Sequence, residues 1–154
     1  MNKTRTSLLA VATTVFALLN TPVFAHSDEY LDTLKAPNGG QLRMAGIYHY
    51  ELVVAKNSKE AKDNPVFVYV TDHAGVKIPT AGAKGTATIL AGKTKTAVGL
   101  NPDGDNRMKG TGNYASIPDM KAIVLITLAG KAAEQARFTP LAAMPVDAHM
   151  NHKP

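Results

Sequence analysis

A chain of 154 residues, 45% hydrophobic and 19% charged, has the length and composition of one globular domain rather than of a disordered segment. It contains no cysteine, which excludes disulfide scaffolds, thiolate nucleophiles, iron–sulfur clusters and cysteine zinc sites. Its net charge of +5 comes from scattered lysines and arginines, without a basic stripe carrying stacking aromatics. Nucleic-acid binding is therefore not expected.

Residues 1–25 have the three parts of a secretory signal peptide. Two basic residues near the start precede an apolar run, Leu8–Leu19, and residues 23–25 place small side chains at the first and third positions before a cleavage point. The run is shorter than the roughly 20 apolar residues that a membrane anchor needs. We predict cleavage after Ala25, no stable membrane span afterwards, and a periplasmic protein that begins at His26.

The rest of the chain shows short strand patterns separated by turn residues. The strand segments are rich in β-branched and aromatic residues or alternate in polarity, and Gly, Asn, Asp and Pro lie between them. The predicted strands are Ile47–Ala55, Val66–Thr71, Thr86–Leu90, Thr94–Leu100, Arg107–Thr111, Ala122–Leu128 and Glu134–Thr139.

This pattern predicts an all-β protein, a single sandwich of about seven strands with an immunoglobulin-like or cupredoxin-like shape. The nearly continuous apolar run Ala122–Leu128 predicts a central strand. We place the β-sandwich domain at residues 41–140, between a flexible N-terminal segment at 26–40 and a C-terminal tail at 141–154 that contains His and Met.

Histidine and methionine are the side chains with distinctive chemistry. Without thiolates, a soft cation such as Cu(I) or Ag(I) must be held by imidazole and thioether groups. The tail brings four such groups close together in sequence, and it either wraps around one ion or is a polar tail in which they are incidental. These residues are Met144, His149, Met150 and His152.

Three further histidines offer candidate ligands. After cleavage, His26 could chelate copper through its amine and its ring, as in a histidine brace, or could simply follow the cleavage site. His49 and Glu51 lie two residues apart on one strand and so share a face, either as metal ligands or as a surface pair. His73 follows a predicted strand, where a ligand and an ordinary turn residue are equally plausible. Met44, just before the His49 strand, could face the same site.

Four stretches resemble a family of small exported proteins that accompany copper, silver and cobalt–zinc–cadmium efflux systems in Gram-negative bacteria. The resemblance covers roughly residues 36–139 and is carried by Ala36–Gln41, Tyr48–Val53, Tyr69–Gly75 and Gly82–Thr88. His49, Glu51 and His73 match family positions, whereas Asn38 stands where members commonly have His. The resemblance implies association with a metal ion rather than a defined mechanism.

The sequence therefore predicts a non-enzymatic periplasmic protein that binds copper, or another transition metal such as silver or zinc. It would buffer the ion or carry it to a component of a heavy-metal efflux pump. One alternative is a β-sandwich interaction module of an envelope complex in which the histidines are incidental. Another is a copper oxidase or monooxygenase built on His26, which is disfavoured because the domain is small and has few aromatic residues.

Overall fold

The computed structural model describes residues 27–143 and consists almost entirely of antiparallel strands. The predicted all-β class is confirmed, and each predicted strand has a counterpart. Eight strands are present rather than about seven, because a strand before Ile47 joins them. The strands are β1 Gln41–Ala45, β2 Tyr48–Val54, β3 Lys62–Thr71, β4 Lys84–Ala91, β5 Thr94–Pro102, β6 Arg107–Tyr114, β7 Lys121–Thr127 and β8 Ala133–Phe138.

The strands form one continuous sheet in the order β1-β2-β3-β6-β5-β4-β7-β8. Strand β5 joins its two halves, since it pairs with β4 along most of its length and with β6 through Asn101 and Pro102. The sheet curls until its end strands approach each other, and there the Thr139 amide donates to Gln41 Oε1 across 2.8 Å. The predicted sandwich thus takes the form of one nearly closed sheet rather than two separate sheets.

The interior is filled by alternate residues of every strand except β1, which contributes only Ala45. The largest fully buried side chains include Tyr50, Leu52, Ile89 and Ile126, drawn from both halves of the sheet. Burial of this apolar surface is the main favourable term in folding, at roughly 25 cal/mol per Å². Because alternate residues point inward, their neighbours face outward, and the candidate ligands on β2 belong to that outer set.

Residues 27–40, expected to be a flexible segment, contain a short helix, α1 Asp28–Thr33. The Ser27 side chain caps it by accepting from the Tyr30 amide at 3.2 Å. A helix of six residues is too short to be stable alone in water, so tertiary contacts must hold it. Leu31 on the helix is buried, and the buried Arg43 guanidinium of β1 donates hydrogen bonds of 2.7 and 3.1 Å to the Asp32 carboxylate. In residues 27–143 no helix has the length and hydropathy needed to span a membrane.

The Arg43–Asp32 pair gives a pH-dependent prediction. Its hydrogen bonds lower the pKa of the Asp32 carboxyl. A lowered native pKa means that this stabilisation is complete above the ordinary Asp pKa near 4 and is lost as the pH falls through the lowered value. We expect Asp32→Asn to reduce the free energy of unfolding by about 2 kcal/mol at pH 7, measured by urea titration, and to flatten its pH dependence below about pH 5.

Asp28 provides the matched control for that experiment. It also faces Arg43, but at 3.5 Å and with a largely exposed side chain. Exposed ion pairs contribute about 0–1 kcal/mol, so Asp28→Asn should change stability by less than Asp32→Asn. Equal effects of the two substitutions would contradict a specific role for the Asp32 contact.

Candidate functional site

His49 and Glu51 point outward from β2, yet both are buried. Their neighbours Tyr50 and Leu52 belong to the core, so His49 and Glu51 lie on the opposite face, as the sequence predicted. They are nevertheless only 7% and 3% exposed, because the chain between α1 and β1 passes over this part of the sheet. The two residues are therefore not an exposed surface pair but form the floor of a covered site.

The Glu51 carboxylate is fastened to this covering segment. Its Oε1 accepts from the backbone amides of Asn38 (2.8 Å) and Gly40 (2.9 Å), and its Oε2 accepts from Asn38 Nδ2 (2.8 Å). Charge-assisted bonds of this length are about twice as strong as neutral ones. Three of them satisfy the buried charge, so Glu51 acts as a clamp for residues 36–40.

The shape of the covering segment follows from its sequence, Ala36-Pro37-Asn38-Gly39-Gly40. The Gly39 amide donates to the Ala36 carbonyl oxygen (3.1 Å), which closes a β-turn with Pro37 and Asn38 in its middle positions. Gly40 then runs directly against β2, where any Cβ would collide with the Leu52 carbonyl oxygen. The second glycine thus allows the approach that brings two amides onto Glu51.

His73 lies in the turn that follows β3, and its side chain is next to His49. The Asp72 carboxylate shapes this turn, since its Oδ1 accepts from the amides of Ala74 (2.9 Å) and Val76 (2.8 Å). The exposed imidazole of His73 stacks on that of His49, with ring centroids 4.9 Å apart and ring planes 5° from parallel. Two histidines that are 24 residues apart in sequence are therefore neighbours in space.

A cavity of about 500 Å³ opens beside the two rings. His49 and Glu51 lie in its wall, and Asn38 of the covering segment and His73 of the turn border it. Two lysines, Lys35 and Lys77, also line it and add positive charge; the remaining lining residues are Leu34, Pro37, Leu42, Tyr69, Thr71, Gly75 and Asn106. The cavity thus places imidazole nitrogens, which can act as metal ligands, beside open space.

The eight predicted ligands divide into three that the structure describes and five that it does not. It brings His49 and His73 together and places Glu51 next to His49, with both carboxylate oxygens engaged by the covering segment. Within residues 27–143, no group of three or more His, Asp or Glu side chains is arranged to hold a metal ion. The other five predicted ligands lie outside the described residues: His26, Met144, His149, Met150 and His152.

Two residues that organise this site were not predicted as part of it. Asn38 donates to Glu51 through both its backbone and its side chain, and Asp72 holds the turn that carries His73. Asn and Asp beside Pro and Gly are strong turn signals, so the two turns were visible in the sequence. Which groups each turn places against β2, however, depends on tertiary structure and not on local sequence.

Comparison with protein-family models, with curated proteins and with solved structures finds no match to this chain. Its function is therefore inferred from the residues of the site.

Proposed function

We propose that this chain is a non-enzymatic, exported metal-binding protein for copper or silver, which buffers the ion or hands it to a component of an efflux pump. The observation that supports this most directly is the contact between the rings of His49 and His73 beside a cavity. Imidazole nitrogen is a preferred ligand of copper and related transition metals. The signal peptide that we predict at residues 1–25 and the absence of cysteine fit the same proposal.

The contrast in exposure between the two histidines supports a carrier. His49 is fixed in a strand and buried, whereas His73 lies on an exposed turn. An ion entering from solvent would meet His73 first and then gain His49. Release would follow the reverse order when a partner offers a better-shaped set of ligands. Ligand exchange of this kind needs no chemical reaction, which is why we propose no enzymatic role.

The test is competition binding of Cu(I), Cu(II), Ag(I) and Zn(II) to the full chain and to the His49→Ala/His73→Ala double variant. We expect the full chain to bind copper or silver with a micromolar or lower Kd, and the double variant to lose one bound ion. Thr71→Val is the matched control, because Thr71 pairs with His49 across the sheet and lines the same cavity. Absence of micromolar binding for every ion would end the proposal.

A second candidate function, an interaction module of an envelope complex, is favoured by one different surface. On the outer face of β4 and β7, the apolar side chains of Leu90, Ile123 and Leu125 are 41%, 39% and 43% exposed. Under this alternative, an Ile123→Ser/Leu125→Ser variant would weaken association with a purified efflux component, and the His49→Ala/His73→Ala variant and a chelator would not. The opposite pattern would support the metal carrier.

A further inference from the structure

We infer that Met44 is the third ligand of the His49–His73 site and that the site takes a monovalent soft cation, Cu(I) or Ag(I). This inference rests on the proposed function and goes beyond it in naming the ligand set and the charge of the ion. The donors would be two imidazole nitrogens and one thioether sulfur. Such a set suits soft cations, and it contains no carboxylate.

The register of the sheet places Met44 beside His49. Met44 is the direct cross-strand partner of His49 in the β1–β2 ladder, and directly opposed residues on antiparallel strands point to the same face with Cβ atoms about 5 Å apart. The neighbours of Met44 on β1, Arg43 and Ala45, are buried, while Met44 itself is only partly buried. The thioether therefore belongs to the outer face on which His49 lies.

His73 completes the group from the other side of β2. In the β2–β3 ladder His49 pairs with Thr71, and the chain then enters the Asp72 turn that places His73 on His49. Strand β1 on one side of β2 and the turn after β3 on the other thus each place one potential donor next to His49, the Met44 thioether and the His73 imidazole. The three donors come from residues 44, 49 and 73, which no short sequence motif would connect.

The carboxylates near the site are occupied elsewhere. Both oxygens of Glu51 accept hydrogen bonds from Asn38 and Gly40, and Oδ1 of Asp72 accepts from two turn amides. Recruiting Glu51 as a ligand would leave the amides of the covering segment without their acceptor. A hard cation, which requires oxygen ligands, would therefore have to displace these hydrogen bonds to use Glu51.

The local charge also favours an ion of low valence. Lys35 and Lys77 line the cavity, and Coulomb repulsion between a lysine and a bound cation doubles when the cation carries two charges instead of one. A divalent ion such as Zn(II) would also lack the fourth strong ligand that structural zinc sites use. Both effects disfavour Zn(II) relative to Ag(I) or Cu(I).

Binding of one ion by both imidazoles requires one of the two rings to rotate. The lone pairs of ring nitrogens lie in the ring planes, and the planes of His49 and His73 are nearly parallel, 5° apart. For both nitrogens to point at one ion, one ring has to rotate out of the stack. His73 can do this, because it is exposed on a turn, whereas His49 is enclosed by its strand neighbours and the covering segment.

The test is a set of separate titrations of the full chain with Ag(I), Cu(I), Cu(II) and Zn(II) at buffered free concentrations, followed by NMR of the methionine methyl groups and the histidine rings. Buffering the free ion makes the result at this site independent of other ligands in the chain. We expect the Met44 methyl and the rings of His49 and His73 to shift together. Met44→Leu, which keeps the apolar volume but removes sulfur, should weaken Ag(I) binding at the two rings about tenfold or more.

Met120→Leu is the matched control, since Met120 is fully buried in the core and its loss should leave Ag(I) binding unchanged. If the rings respond but the Met44 methyl does not, and Met44→Leu binds normally, Met44 is not a ligand and the proposed function still stands. If the rings bind Zn(II) more tightly than Ag(I), the assignment of a monovalent ion is overturned. If the rings respond to no ion, the proposed function itself fails.

Discussion

Replacing Glu51 by alanine is expected to lower the free energy of unfolding by about 3 kcal/mol and to release residues 36–40 from β2. The substitution removes the acceptor of three charge-assisted hydrogen bonds and leaves the amides of Asn38 and Gly40 facing an apolar gap. The expected loss of unfolding free energy is smaller than the sum of three charge-assisted hydrogen bonds, because the amides of the released segment can hydrogen-bond to water. Urea unfolding measures the stability, and hydrogen exchange at the two amides measures the release.

Glu51→Gln separates the charge of the clamp from its geometry. Both backbone amides donate to the same oxygen, Oε1, and an amide side chain can keep that oxygen in place. We therefore expect Gln to cost about 1 kcal/mol, for the lost charge and the altered contact with Asn38 Nδ2. Glu60→Ala, at an exposed position, is the control and should be nearly neutral. Unchanged stability and protected amides in Glu51→Ala would show that the segment is held by other contacts.

Glu51→Ala also tests whether the clamp serves the proposed metal site. Glu51 touches no ion in our proposal; it is a positioning residue that keeps the covering segment over His49. Partners of this kind typically change metal affinity by about 10- to 100-fold. We expect Glu51→Ala to weaken Ag(I) binding at the histidine rings by about tenfold, and Glu51→Gln to weaken it less, in parallel with their effects on amide protection.

The strand core of the fold could be predicted from the sequence, whereas its N-terminal part could not. Segments such as Val66–Thr71 combine β-branched residues with clear turns on either side, and this local signal is sufficient. Strand β1, Gln41–Ala45, has no β-branched residue and carries an inward-facing Arg43, so local propensity did not identify it. The sequence did contain one signal for a turn after β1, the glycine at position 46. In the structure Gly46 has a φ of +58°, which suits the first position of a two-residue hairpin turn.

The apolar content of β7 suggested that both faces of this strand are covered, and the structure shows only one face buried. The run Ala122–Leu128 predicted a central strand, and β7 does lie between β4 and β8. Its burial nevertheless alternates, with Ile123 and Leu125 outside the core. A continuous apolar run normally indicates a strand covered on both faces, and here the described residues leave the outer face of β7 open.

For the three predicted ligands that the structure describes, the sequence predicted their positions on strands and turns but not their contacts. The spacing of His49 and Glu51 correctly predicted a shared face, and His73 was correctly placed after a strand. Two facts decide what these residues do: the register of β2 with β3, and the passage of residues 36–40 over the sheet. Neither follows from local sequence, so a clamping carboxylate and a ligating one could not be told apart.

If the site prefers a monovalent soft ion, as we propose, Asn38→His is expected to convert it to one that also binds Zn(II). Asn38 borders the cavity beside His49 and His73, so a third imidazole would be added to the two already present. Three imidazoles form a common zinc ligand set. We expect Zn(II) affinity to rise by about 100-fold, corresponding to about 2.8 kcal/mol, with a much smaller change for Ag(I).

The backbone contacts of the clamp should survive this change, because the amides of residues 38 and 40 still reach Oε1 of Glu51. Loss of the Asn38 Nδ2 bond should cost about 1 kcal/mol of stability. Asn38→Gln is the control, since it alters the same contact without adding an imidazole and should gain no zinc affinity. Zinc titrations of both variants, followed at the rings of His49 and His73, distinguish a completed site from a non-specific surface histidine. If Asn38→His binds Zn(II) without shifting the NMR signals of the His49 and His73 rings, the covering segment does not face the two histidines as the structure places it.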